Sequence, residues 1–245
     1  MGNKVINTTS VKLGIYEQSS DAQLAGMIGD KKELEDGRIF RLCKAGAVAL
    51  AAGYLVQAPV QDAYDDALVV NTAAAIGDSV IEITTTSGHA GYAENALAEG
   101  FLVVGQTAGK IGTFYKIKAN DAMVTATTAT ITIYDKLTST LVATTNKVSV
   151  CPNPYNGVVL DANSAPIIGT PIIAVTAAYY FWALSKGFGP AIATAATIAA
   201  GDYLLHTVGT VYTSASTAVD TERRIACAMN TSAASEALIV KYFIE

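Results

Sequence analysis

The feature that most constrains this 245-residue chain is its punctuation: short aliphatic and β-branched runs that stop repeatedly at Gly, Pro, Asn or Asp. The segments 38–44, 54–57, 67–71, 80–85, 101–104, 114–118, 130–134, 147–150 and 157–160 are all bounded this way. Runs of strand length recurring roughly every 10 to 15 residues predict a sandwich or barrel, not strands alternating with helices. Composition agrees: 51% of residues are apolar but only 8% are aromatic. Much of the remainder is Ala and Val beside abundant Thr, and such side chains suit closely stacked pleated sheets. The expected class is all-β, a short-strand sandwich or barrel in two β subdomains, with an extended N-terminal arm and one short helix.

The arm is residues 1–20, where Val5, Val11, Leu13 and Ile15 stand at odd positions with mostly polar neighbours. Period-2 alternation marks a strand that buries one face. The helix is expected over 21–35, capped by Ser20 or Asp21 and stopped by Gly37, although Gly26 and Gly29 weaken it. The chain then divides into 1–35 (arm and helix), 36–160 (first β subdomain) and 161–245 (second). The Ala-rich stretches 45–52 and 191–200 are read as loops or wide turns.

Residues 162–185 carry no charge, and 167–184 is mostly apolar, near the minimum length of a membrane span. Pro166, Gly169 and Pro171 break its first half, and no Lys/Arg cluster flanks it. Two buried strands around a turn fit better than a spanning helix. No signal-peptide core follows Met1, so the chain is expected to be made in a host cytoplasm, with Cys43, Cys151 and Cys227 as buried free thiols.

An internal echo runs through the chain. Phe40-x-Leu42-x-Lys44, followed by Gly53-Tyr54-Leu55, returns as Trp182-x-Leu184-x-Lys186, followed by Gly201-Asp202-Tyr203-Leu204. A weaker third copy lies at Ala98-Glu99-Gly100-Phe101. If this is duplication, Phe40 and Leu42 match Trp182 and Leu184 as equivalent core positions in two related subdomains.

Signs of chemistry are sparse. With a net charge of -5 and only 15% charged residues, the chain offers no basic surface for nucleic acid. His89 is expected in an exposed loop and His206 at the end of an apolar strand, neither beside a nucleophile or metal motif. Gly105 to Lys110 imitates a phosphate loop, but its glycines are one residue too close, Ile111 stands where Ser or Thr would bind magnesium, and a strand follows. Asp62, Asp65 and Asp66 lack the EF-hand glycine and glutamate and read as a solvated acidic loop. Asp220, Glu222, Arg223 and Arg224 read as a surface ion-pair cluster. The expectation is no enzyme, no cofactor and no metal.

One family resemblance rests on Asp36-Gly37-Arg38-x-Phe40-Arg41, the segment from Leu50 to Gln57, Gly100-Phe101-Leu102-Val103 and Tyr115-Lys116-Ile117. Asn153-Pro154-Tyr155-Asn156-Gly157, and Tyr179-Tyr180-Phe181-Trp182 before Lys186-Gly187, extend it. Over about residues 36–205 the chain resembles head decoration, or cement, proteins of tailed bacteriophages. The resemblance implies a homotrimer, or another small ring, on the outer surface of the virion capsid, bridging neighbouring major capsid proteins; the charge balance and the broken apolar run add the expectation of no nucleic acid or membrane partner. The arm residues Val5, Val11, Leu13, Ile15 and Tyr16 are then candidates for reaching a neighbouring subunit. A tail, fibre-base or receptor-binding virion protein, or a carbohydrate-binding β-sandwich, would share the same β-rich grammar.

Overall fold

A computed structural model describes residues 13–106, 112–194, 197–213 and 224–245. Among the described residues the only helical pieces are α1 (Ala22–Ala25) and a single 3-10 turn (Ala63–Asp65), so the all-β class is what the chain adopts. The helix expected over 21–35 shrinks to one turn. Asp21 caps it by accepting from the Gln23 N–H at 2.8 Å, but Gly26 and Gly29 take φ of 95° and 94°, which a helix cannot continue through. Among the described residues no helix is long and apolar enough to cross a membrane.

The chain forms two compact units, one inserted into the sequence of the other: unit 1 is 1–60 with 154–245, and unit 2 is 61–153. The serial division expected at 36–160 and 161–245 is therefore replaced by an insertion, because strands on either side of unit 2 pair with each other. Strands β1 (Lys31–Glu33), β2 (Ile39–Ala45) and β3 (Val56–Gln57) precede it. Unit 2 contributes β4 (Leu68–Val70), β5 (Val80–Thr84), β6 (Phe101–Gln106), β7 (Phe114–Asn120), β8 (Thr128–Ile133) and β9 (Lys147–Cys151). Unit 1 resumes with β10 (Asn156–Leu160), β11 (Ile167–Pro171), β12 (Tyr180–Ile192), β13 (Tyr203–Thr207), β14 (Thr210–Thr213), β15 (Ala226–Ala228) and β16 (Ala237–Phe243).

Unit 2 is a closed antiparallel barrel in the order β4-β5-β8-β7-β6-β9. Alternation supplies its filling: Leu68, Val70, Ile81, Ile83, Leu102, Val104, Ile117, Ile131 and Val148 all point inward and are buried. Closure leaves no unpaired edge to recruit other chains.

Unit 1 is organised around one strand pair. In β2 and β12, Trp182 lies opposite Leu42 and Leu184 opposite Phe40. These four side chains are fully buried in one core, while the alternate residues Cys43, Ala45, Phe181 and Ala183 fill another. β12 is buried on both faces over 180–185 and has no polar phase there, which is why 167–184 is apolar enough to suggest a membrane segment. The pairings β2-β10-β3-β11-β12 return to β2 and enclose the second core. In so narrow a ring, small residues such as Cys43 and Ala183 leave room for the Phe181 side chain. The expectation that Phe40 and Trp182 mark two subdomains is corrected: they share one core. The echo nevertheless has a geometric basis, because a local two-fold axis through the Arg41–Ala183 pair exchanges Phe40 with Trp182 and Leu42 with Leu184.

The repeated element is a turn. Leu50, Ala74, Tyr92, Met123, Leu141, Val175, Ile198 and Ser232 each form an isolated bridge. Three residues after each comes a residue at positive φ: Gly53, Gly77, Asn95, Ala126, Thr144, Ala178, Gly201 and Ser235. The bridges join these segments in pairs, Leu50 with Val175 and Ile198 with Ser232 in unit 1, Ala74 with Leu141 and Tyr92 with Met123 in unit 2. In several of them the next polar side chain caps the turn: Asp78 accepts from Ala75 N, Asp202 from Ala199 N and Glu236 from Ala233 N. Both units are built with this device. The third copy expected at Gly100 is something else, since a Cβ there would meet the Cys151 carbonyl oxygen at 2.5 Å.

The arm expectation changes from Leu13 onward. Leu13 is buried in the larger core, and its carbonyl accepts from Lys32 Nζ at 2.7 Å and Trp182 Nε1 at 3.0 Å. Ile15 packs against the same core and Tyr16 is exposed. Leu13 and Ile15 are thus committed to their own unit, while Val5 and Val11 lie outside the described residues. Lys32 Nζ sits 4.3 Å above the Trp182 ring, and burial lowers its pKa, with Glu17 opposing.

Candidate functional site

The acidic loop and His89 form a buried network in unit 2, not the solvated loop and exposed histidine expected. Asp65 and His89 are both buried. Asp62 and Asp65 close a capping box around the 3-10 turn. The Gly91 N–H donates to His89 Nδ1 at 2.8 Å, so the ring proton sits on Nε2 and points to Asp65 Oδ1 at 3.2 Å. Tyr92 donates its hydroxyl to Asp65 Oδ2 at 2.6 Å, and Asp62 receives the N–H groups of Tyr64 and Ala90. Burial pushes the Asp65 carboxyl up, against the pull of Tyr92 and His89, and pushes the Tyr92 hydroxyl up as well. Asp62, Asp65 and His89 each place a ligand atom within 4.8 Å of the others. Those atoms are already met by protein hydrogens where a cation needs lone pairs, so the chemistry is that of a brace.

The brace fixes one wall of a groove of about 480 Å³ on the barrel's outer surface, lined by Gln61, Asp62, Asp66, Phe101, Phe114 and Ser149 among others. Phe101 and Phe114 stack with centroids 5.1 Å apart, and Ser149 donates its hydroxyl to Asp66.

Unit 1 presents a different surface. Cross-strand register aligns Phe188, Lys241, Cys227 and Tyr203 in one row across β12, β16, β15 and β13. Phe243 lies opposite Lys186 on the same face, and Ile239 opposite Pro190. The inward partners Ala191, Leu204, Ala226, Leu238, Val240 and Tyr242 are buried. Phe188, Tyr203, Ile239, Phe243 and Met229 are 42–57% exposed, an unusual density of large apolar groups on one sheet face. Two cations lie on it: Lys241 is 5.9 Å from the Phe188 ring and Arg224 4.7 Å from Tyr203.

At the margin of this face is a pocket of about 420 Å³ lined by Ala165, Pro166, Ile167, His206, Arg224, Ile225, Phe243 and Ile244. Behind it Asp161 is fully buried, accepting from His206 Nδ1 at 2.9 Å, Gly209 N at 3.3 Å and Asn163 N at 2.9 Å.

The sequence reading missed this face because β16 is apolar in both phases, Leu238, Val240 and Tyr242 inward and Ile239 and Phe243 outward, so alternation could not mark it. It also placed all three thiols inside, whereas only Cys43 is buried; Cys151 is exposed and Cys227 partly so. Of the ion-pair cluster only Arg224 is described, and of the 105–111 loop only Gly105 and Gln106. Comparison with protein-family models, curated proteins and solved structures finds no match for this chain.

Proposed function

We propose that this chain is a structural protein of a tailed-bacteriophage virion that decorates and stabilises the outside of the capsid, working by attachment and not by catalysis. The observation that carries this reading is the aromatic and cationic face of β12, β16, β15 and β13. An apolar patch on a stiff β body serves docking, and Lys241 within it and Arg224 over Tyr203 steer and orient an acidic neighbour. The segments that resemble head decoration proteins support the capsid as the site, with the major capsid protein as partner and three copies as the assembled form. Binding only the completed shell would stabilise it by mass action, so each contact can be weak.

The test is localisation on purified virions from cells expressing the gene, by particle proteomics and antibody labelling. Label spread over the head supports decoration. Label confined to the tail moves the assignment to a tail or fibre-base protein, and a chain missing from particles overturns the reading. Carbohydrate binding is a second reading, favoured by the Phe101–Phe114 pair beside Asp66 in the barrel groove. Titration with methyl glycosides, read at the groove resonances, decides it: saturable shifts support it and none removes it.

A further inference from the structure

We propose that the pocket holding His206 and Arg224 is a carboxylate receptor, taking an anionic group on an apolar body such as an acidic side chain or chain terminus of a partner protein. This deepens the attachment reading by naming the partner's chemistry, and rests on that reading only for the identity of the occupant.

The argument begins with Asp161. It accepts three hydrogen bonds, from His206 Nδ1, Gly209 N and Asn163 N, so the Nδ1 proton of His206 is committed to it. The ring is thereby fixed in orientation, with Nε2 as its remaining polar atom on a side chain that lines the pocket. Asp161 itself is fully buried behind the ring and does not line the pocket.

Arg224 is the other polar side chain of the lining, and no carboxylate belongs to it. Its guanidinium rests against the Tyr203 ring, which limits its freedom while leaving edge N–H groups to donate. The remaining walls, among them Ile167, Ile225 and Phe243, are apolar. Two nitrogen groups beside apolar side chains suit a carboxylate with a hydrocarbon body. With a carboxylate on the Nε2 side, the ring is held between the ligand and Asp161, and Arg224 supplies a charge-assisted hydrogen bond.

The experiment is an NMR titration of the full ¹⁵N-labelled chain with N-acetyl-leucine, N-acetyl-leucinamide and inorganic phosphate as separate probes. The expected result is saturable binding of N-acetyl-leucine that shifts Ile167, Ile225 and Phe243 and moves the His206 Nε2 resonance. The uncharged amide is expected to bind about 10-fold more weakly, the scale of one charge-assisted hydrogen bond. R224Q, at an exposed position, is expected to weaken N-acetyl-leucine by a similar factor without changing the fold. Equal binding of acid and amide, preference for phosphate, an unmoved Nε2 resonance, or no binding of N-acetyl-leucine would each overturn the proposal. Attachment of the parent chain to heads separates this inference from the functional reading: if parent and R224Q attach equally well, the carboxylate anchor fails and decoration stands.

Discussion

In the barrel, His89 commits both ring nitrogens to its own chain: Nδ1 takes the Gly91 N–H and Nε2 gives its proton to Asp65. In unit 1, His206 commits only Nδ1, to Asp161, and its ring stays partly exposed at a pocket. Both pairs look alike in composition, a histidine against a buried aspartate, yet they do different work. What separates them is the environment of the second nitrogen. A ring with both nitrogens bonded within its own chain is a structural tie, whereas a ring bonded through one nitrogen and lining a pocket is a recognition element.

The largest expected effect falls on the closed pair. His89→Ala removes a buried partner of Asp65 and is expected to cost unit 2 about 3 kcal/mol. Chemical denaturation followed by barrel-specific NMR signals measures this, and a loss as small as that of the open pair would erase the distinction. The sign of the pH dependence tests it next. Burial raises the Asp65 carboxyl above its ordinary 3.8, so the stability it contributes is complete below 3.8 and lost as pH rises through the raised value. The melting temperature of the parent is therefore expected to fall relative to that of D65N as pH rises from 3.8, and a parent that gains on D65N over that rise would contradict the assignment. The open pair should behave otherwise. His206→Ala is expected to cost no more than about 1 kcal/mol, because water reaches the vacated place, while N-acetyl-leucine binding is lost.

These differences were only partly legible in the sequence. Strand positions were readable, since Gly, Pro, Asn and Asp mark the places where the backbone must turn. The barrel's inward residues, such as Ile81, Ile83, Ile131 and Ile133, follow the alternation that predicts them. The nesting was not readable, because β10 and β11 pair with β3 across the whole inserted barrel, and no local pattern encodes a partner so distant. Nor were the histidines: Ser87-Gly88-His89-Ala90-Gly91 has the composition of an exposed loop, and only tertiary packing reveals that it lies over Asp65. The echo of Phe40 and Trp182 was real as a pattern but named the wrong level, two facing strands and not two subdomains.

The smallest expected effect is shared by both units, and it tests whether they use the same turn. Thr144 in the barrel and Ala178 in unit 1 hold φ of 58° and 63°, where a Cβ is unfavourable. Replacing each by Gly is expected to stabilise its own unit by about 0.5 kcal/mol, the left-handed strain relieved less the added flexibility of the unfolded chain. A gain in one unit and a loss in the other would show that the turns are not equivalent.

The most direct measurement of the central claim uses two thiols as reporters. Cys227 lies within the row formed by Phe188, Lys241 and Tyr203, Cys151 lines the barrel groove, and Cys43 is buried. N-Ethylmaleimide labelling of each thiol, read by peptide mass spectrometry, would be compared for the free chain and the chain bound to purified heads. Attachment through the sheet face predicts that Cys227 becomes protected while Cys151 continues to react. Unchanged labelling of Cys227, with Cys151 shielded instead, would contradict the account and move the attachment surface to the barrel.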